Sequence, residues 1–406
     1  MKIIYFNFGM SDTHYKIIEE NILLRPQKNP QRIFDRVVYE GIKSNGVDVL
    51  SLSLPPVPAY PKSKKIFINL NKLRQFNDEK NVNYIPVVNI PIIKQLCVFV
   101  YALIVINIQK NNKDLKILIN WPYLPFVSAA ILMKKILKID IIQIIPDFPS
   151  DYFSYKKNKN IIEKIYSLSS RITMGIIGKF DAFVFLTKYM KEIITVDNSK
   201  YCIVEGMINP NTNFSESVYS KKNIDKKIRF MYAGSLNKKV GILDFIEAFK
   251  IAAGDNHNIE LYIYGTGDSE ESIKNIVSNS NNINFGGLLS RSEVLKKQTE
   301  VSFLVNPRPV KEEYTKYSFP SKTLENMLSG TPLITTRLSG IPNDYNDYLI
   351  YFENDSIEGM VNTLKRAIEM KNDYRVTFGK KSREWVKVNK NPKKQTQKII
   401  EMLKKI

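Results

Sequence analysis

The stretch Phe319-Pro-Ser-Lys-Thr-Leu-Glu-Asn-Met-Leu-Ser-Gly-Thr-Pro-Leu-Ile-Thr-Thr336 decides the reading of this chain. Pro320 and Ser321 stand before a helix over Lys322–Leu328, Gly330-Thr-Pro332 ends it, and Leu333–Thr336 reads as a buried strand. The first turn of such a helix exposes N–H groups without intrahelical partners, and its positive end favours phosphate. Lys322 adds a formal cation at that end. Glu325, about one turn on, offers a carboxylate able to accept hydrogen bonds from two ribose hydroxyls.

Working outward, short apolar runs alternate with amphipathic stretches along the whole chain, the pattern of parallel βαβ units and hence of an α/β fold. In the first half the predicted strands are Lys2–Phe8, Val47–Leu52, Ile117–Ile119, Ile139–Ile145 and Ala182–Leu186, with helices over Gln31–Asn45, stopped by Gly46, and Phe126–Leu137. The chain turns polar over Asn209–Lys227. The same grammar then restarts with strands Ile228–Ala233, Ile259–Tyr264, Ile283–Phe285, Val301–Val305 and Leu333–Thr336, and a helix over Ile242–Ala252. An amphipathic helix is expected over Lys393–Ile406. At 406 residues the chain is long enough for two domains. The expected division is 1–205, 206–385 and a final helix, 386–406, packing back on the first domain.

Cations outnumber anions 60 to 40, a net charge of +20. The excess leans toward residues 1–205, with 29 basic against 17 acidic side chains. Such a charge attracts an anionic partner, whether nucleic acid, lipid or phosphorylated substrate, or is simply a Lys-rich solvated surface. No groove-reading motif or basic–aromatic stripe accompanies it, which argues against nucleic acid. Two cysteines, Cys97 and Cys202, give neither a disulfide framework nor a zinc site and fit a reducing cytosol. Met1 and Lys2 lead directly into the short apolar run Ile3–Phe8, so no secretory signal is expected.

Three features of the first half suit a membrane surface. Leu54–Pro61 is a proline-rich loop followed by Lys62, Lys64 and Lys65. Asp151–Asn160 mixes aromatic and cationic residues. The apolar run Leu96–Ile106 is about half the roughly 20 residues needed to span a bilayer, so it is either a buried helix or strand, or a surface element dipping into headgroups.

The C-terminal motifs resemble those of glycosyltransferase family 4, retaining enzymes of the GT-B fold. Leu324-Glu-Asn-Met-Leu-Ser-Gly-Thr-Pro-Leu-Ile334 is similar to the end of the family's Glu-x7-Glu element, and the resemblance puts the ribose-binding carboxylate at Glu325. The first Glu falls on Tyr317, a departure. The variant Tyr317-Ser-Phe-Pro-Ser-Lys322 resembles the capsule and exopolysaccharide branch with an FPSK-type turn, in which Tyr317, Ser318, Phe319, Pro320, Ser321 and Thr323 would line the donor. Tyr232-Ala-Gly-Ser-Leu-Asn-Lys-Lys-Val-Gly-Ile242 resembles the family's diphosphate-clamping element. Gly234 and Gly241 keep its spacing, but Ser235 and Val240 stand where the family has Arg and Lys. Lys239, Arg308 and Lys322 are the expected replacement cations. Gly265, in Ile263-Tyr-Gly-Thr-Gly-Asp268, and Gly287 and Leu288, in Phe285-Gly-Gly-Leu288, match turns that receive the base.

The resemblance implies two Rossmann-like domains facing each other across a cleft, with the acceptor in the first and the donor in the second. In the first domain the candidates are Gly9 and His14 after the opening strand, and Asp147, in Ile145-Pro-Asp-Phe-Pro149, as a catalytic carboxylate beside Lys322 and Glu325. His257 is expected to be structural. No Asp-x-Asp metal pair stands out after a strand, so no metal or other cofactor is expected. The leaving phosphate's charge then falls to cations and dipoles. The implied activity is transfer from a nucleotide sugar, UDP-linked by resemblance, to a glycan or lipid-linked acceptor in bacterial surface polysaccharide synthesis. The implied place is the cytoplasm, peripheral on the inner face of the cell membrane. A nucleotide-sugar epimerase of GT-B shape and a basic nucleic-acid-binding protein are the competing readings. Donor sugar, acceptor linkage and oligomeric state are not legible.

Overall fold

The apolar runs become parallel strands because both of their faces are covered, as in Lys2–Asn7 (β1), where five successive side chains are buried. The computed structural model describes residues 1–25, 30–75, 80–148, 161–209, 212, 214, 227–311 and 313–406. They fall into two compact units, residues 1–209 with 392–406, and residues 210–391.

In the first unit β1 leads to helices Asp12–Asn21 (α1), capped by Ser11, and Pro30–Ser44 (α2). Strand Asp48–Ser53 (β2) follows, then the short strands Phe67–Ile68 (β3), Val82–Tyr84 (β4) and Val87–Val88 (β5). Helix Ile93–Gln109 (α3), strand Leu115–Asn120 (β6), helix Leu124–Leu137 (α4) and strand Asp140–Ile145 (β7) come next. Helix Ile161–Ile176 (α5) and strands Ala182–Phe185 (β8) and Tyr201–Ile203 (β9) complete it. The sheet order is β4-β2-β1-β6-β7-β8-β9, every pairing parallel, while β3 and β5 form a separate antiparallel ribbon. Strand order reverses between β1 and β6.

A buried carboxylate fixes that reversal. Asp35 on α2 accepts a hydrogen bond from the Phe8 amide at 2.7 Å and one from the Tyr5 hydroxyl at 3.1 Å, and Asn120 at the end of β6 donates to it as well. Burial pushes Asp35 up to about 7, against the downward pull of those three donors.

The second unit starts with strand Ile228–Ser235 (β10), helix Ile242–Ala253 (α6), strand Ile259–Thr266 (β11), helix Glu270–Ser278 (α7) and strand Ile283–Phe285 (β12). Helix Arg291–Gln298 (α8), strand Phe303–Asn306 (β13), helix Lys322–Leu328 (α9) and strand Leu333–Thr335 (β14) follow. Strand Ile350–Tyr351 (β15) and helices Ile357–Glu369 (α10) and Asn372–Asn389 (α11) close the unit. The sheet runs β12-β11-β10-β13-β14-β15, all parallel, so its order reverses between β10 and β13. Its main core sits between the sheet and α6, α7 and α10, around Phe230, Phe245, Phe249 and Phe303.

The last helix, Pro392–Leu403 (α12), belongs to the first unit. Asn45 at the end of α2 donates to the Lys393 carbonyl at 2.8 Å and to Thr396 Oγ1 at 3.0 Å. The boundary expected after 385 falls inside α11, which runs on through fully buried Val386, so the chain leaves the second unit only at Asn391. Asp151–Asn160 lies outside the described residues, as does most of the polar stretch Asn209–Lys227.

Gly265 ends β11 with φ +144°, where an added Cβ would sit 1.8 Å from the Gly234 carbonyl oxygen of the neighbouring strand. Gly265→Ala is therefore expected to cost about 2–4 kcal/mol in urea unfolding. Gly46→Ala, at φ +74° in open space, should cost only about 1 kcal/mol. Equal costs would show that the β10–β11 contact yields freely. Asp35 predicts a pH effect of definite sign. Its folded-state pKa is raised, so its stabilising contribution, up to about 4 kcal/mol, is complete below about pH 4 and is lost as pH rises to about 7. A carboxyl ¹³C titration of Asp35 should show a midpoint near 7; one near 4 would mean that the three donors outweigh burial.

Candidate functional site

In the second unit the candidates gather where strand order reverses, the place at which open parallel sheets take ligands. β10 ends at Gly234-Ser235. Its Tyr232 folds back so that the hydroxyl donates to the Ser235 carbonyl at 2.6 Å. From the end of neighbouring β13, the half-buried Arg308 guanidinium stands 5.7 Å from the Tyr314 ring. Burial raises the Tyr232 phenol, and the nearby Arg308 charge partly offsets this.

The turn Lys238–Val240 after β10 is held by Asp268, which accepts from the Lys238 amide at 2.8 Å, and leaves the Lys239 side chain exposed. The turn Tyr317–Ser321 brings a further cation to the same place. Lys322, first residue of α9, donates from Nζ to the Ala233 carbonyl at 2.8 Å, tying that turn to the end of β10. Because α9 is only seven residues long and Ser321 makes no side-chain cap, the expected helix dipole is small. The formal positive charge at this end comes from Lys322 and Arg308. Ser318 Oγ and Thr323 Oγ1, on either side of Phe319-Pro-Ser-Lys322, are shielded and have no partner among the described residues. Phe319 itself packs on Tyr345, ring centroids 5.6 Å apart, and so anchors the turn.

Glu325 is three-quarters buried and meets a partner the sequence reading did not name. Arg291 Nη2 lies 3.0 Å from its Oε2, and Nε 3.3 Å. Arg291 opens α8 because Ser290 and Glu293 form a reciprocal capping box, which fixes the start of that helix just past β12. The Ser290-x-x-Glu293 signature is readable in the sequence and could have placed Arg291. Gly265 and Gly287 adjoin it at the ends of β11 and β12, with the Gly265 amide donating to the Gly287 carbonyl at 2.8 Å. Leu288 is largely exposed beside them.

In the first unit Gly9 is buried at the end of β1. Its amide donates to Asn7 Oδ1 at 2.7 Å, and its carbonyl accepts from Ser53 Oγ at 2.6 Å. His14, the other possible cleft residue, does not reach the surface. It is fully buried, its Nδ1 2.7 Å from the Tyr84 hydroxyl, because α1 turns that face into the core. Asp147 is exposed directly after β7. Trp121, also unforeseen, follows β6 at φ +64°, a conformation costly for a bulky side chain; Asn120 Oδ1 holds it by accepting from its amide at 3.0 Å. Among the described residues no three His, Cys, Asp or Glu side chains converge as a metal site, and no helix is long and apolar enough to cross a membrane.

Residues 227–370 match the model of a family described as "Glycosyl transferases group 1", which supports a glycosyltransferase. No curated protein matches the chain. Among solved structures it is similar to sucrose-phosphate synthase from Thermosynechococcus elongatus, at 12% identity and TM-score 0.62 over 100% of this chain and 98% of the other. It is similar to Anabaena Alr3699/HepE in complex with UDP, at 12% identity and TM-score 0.62 over 100% of both chains. A third likeness is to "Trehalose-6-phosphate from E. coli bound with UDP-2-fluoro glucose", at 11% identity and TM-score 0.59 over 100% of this chain and 99% of the other. The chain has the GT-B fold, and residues 227–370 of its second unit carry a glycosyl transferases group 1 domain.

Proposed function

We propose that the protein is a family 4 glycosyltransferase working in the bacterial cytoplasm, moving a sugar from a UDP-linked donor to a glycan or lipid-linked acceptor in the synthesis of a surface polysaccharide of the capsule or exopolysaccharide kind. One observation carries this reading: Lys322 and Arg308 reach the ends of β10 and β13 at the strand-order reversal, within the matched domain and next to the paired Glu325. Uridine is favoured because two of the similar structures hold UDP or a UDP sugar.

The reaction breaks the bond between the anomeric carbon and the diphosphate oxygen and forms one from that carbon to an acceptor oxygen. Negative charge grows on the leaving diphosphate, where Lys322, Arg308 and Lys239 stabilise it without a metal ion. The acceptor's proton passes to a phosphate oxygen on the side from which the diphosphate leaves, so configuration is retained. Glu325 accepts the ribose hydroxyls, with Arg291 fixing its orientation. Gly265, Gly287 and Leu288 face the base, and Ser318 with Thr323 meets the sugar or phosphate. Asp147 and Gly9 serve the acceptor side.

Glu325→Gln is expected to lower kcat/KM for the donor about tenfold or more with little loss of stability, since a partly solvated ion pair contributes roughly 1 kcal/mol or less. Arg291→Ala should raise KM for the donor more than it lowers kcat. Wild-type donor kinetics in Glu325→Gln would remove this site. Thermal shift against UDP, GDP, ADP and CMP should favour UDP, a ligand at about 100 times its Kd stabilising by about 2.7 kcal/mol. Turnover should persist in excess EDTA. Its loss, restored by manganese or magnesium, would assign the leaving-group charge to a metal instead.

A further inference from the structure

The outer side of the first unit's helical layer is aliphatic where a water-facing surface would be polar. The Leu96–Ile106 run is a helix, α3, whose inward side buries Val98, Ala102, Val105 and Ile106. Its outward side carries Leu96, Val100, Ile104 and Ile108 at four-residue spacing, all exposed and led by exposed Ile92 and Ile93. A surface helix ordinarily has one polar face, and one apolar all round is ordinarily covered on every side.

The stripe does not stand alone. α3 packs on α4 and α4 on α5. The exposed side of α4 adds Leu132 and Ile136, and that of α5 adds Ile165, Leu168 and Ile172. Eleven of the twenty exposed large hydrophobic side chains among the described residues lie between Ile92 and Ile172. At the start of α3, half-buried Lys94 donates to the Val57 carbonyl at 2.5 Å, and the Tyr60 amide to the Asn89 carbonyl at 2.8 Å. These bonds hold the proline-rich loop, with exposed Lys62, Lys64 and Lys65, against the helix.

Charge identifies the occupant. α3 and α4 contain no Asp or Glu, and exposed Lys110, Lys135, Lys138, Lys164 and Arg171 border the aliphatic surface. Two copies meeting through this surface would oppose like charges. A bilayer bearing anionic headgroups instead offers hydrocarbon to the stripe and phosphates to its border. We propose that the α3–α4–α5 face docks on the surface of an anionic phospholipid bilayer, with α3 lying flat in the headgroup region. The proposal stands apart from the reaction assigned above, because vesicle binding is read without donor or acceptor.

The test is sedimentation of the full chain with vesicles of phosphatidylcholine containing about one-third phosphatidylglycerol, against phosphatidylcholine alone. The wild type should sediment with the anionic vesicles and be released by about 0.5 M salt. The Leu96→Gln, Ile104→Gln, Ile108→Gln variant should partition at least tenfold less while keeping its UDP thermal shift. Lys135→Glu with Lys138→Glu should weaken binding to the anionic vesicles alone. Hydrogen exchange on the wild type, which needs no variant to fold, should show vesicle-dependent protection of 93–109 and 124–137. Wild type left in the supernatant at low salt, undiminished binding of the triple variant, or no protection of α3 overturns the proposal. So does a dimer or captured protein partner that the triple substitution abolishes while vesicle binding stays absent.

Discussion

Every pairing in the two large sheets is parallel, and that constraint organises the rest. Parallel strands put their carboxyl ends on one edge, so the loops that follow them are gathered whatever their distance in sequence. In the second unit this brings the end of β10, Arg308 after β13 and Lys322 before β14 into one neighbourhood, though some ninety residues separate Ala233 from Lys322. In the first unit it sets Gly9, Trp121 and Asp147 after β1, β6 and β7. The reversal of strand order then opens each edge at one point, and Asp35 in the first unit and Lys322 in the second each tie an element across it.

How far the site was legible follows from the range of the forces involved. Strands such as Ile259–Tyr264 and helices such as Lys322–Leu328 were readable because their apolar periodicity and their Gly and Pro stops are local. Leu96–Ile106 was not decidable between helix and strand, since a short continuous apolar run has no period to separate them. The burial of His14, a possible cleft residue by sequence, was not legible for a related reason. Its sequence position five residues after Gly9 is local information, whereas its partner Tyr84 is brought in by the sheet. The Asp35 network and the Arg291–Glu325 pair are long-range as well, joining residues 85 and 34 positions apart at their widest. The end of the second unit was placed too early because Val386 is buried by tertiary packing inside an otherwise polar helix.

The cations at the reversal are held in different ways, and this divides their chemistry. Lys322 is directed by a hydrogen bond from its ammonium to the Ala233 carbonyl. Arg291 is instead matched by a carboxylate, and the pair is close to neutral as a unit. Lys322, Arg308 and Lys239 are the cations nearest the turn, while the Arg291–Glu325 pair supplies directed hydrogen bonding with little net charge. A polar, uncharged ligand group suits the pair; an anionic one suits the turn.

The aliphatic layer of the first unit obeys another logic. Helices α3 and α4 are rich in Ile, Leu and Val on their outward sides, at positions where solvation alone would select Lys, Glu or Gln. α3 is 17 residues long, about 25 Å of helix, and one side of it is committed to the core, so it can lie along an apolar boundary but not cross one. The inner face is satisfied by Val98, Ala102 and Val105 against the protein, and the bilayer docking proposed above would satisfy the outer one. The absence of Asp and Glu from α3 and α4 is what that docking would require, whereas core packing places no limit on acidic residues at the exposed ends of a helix.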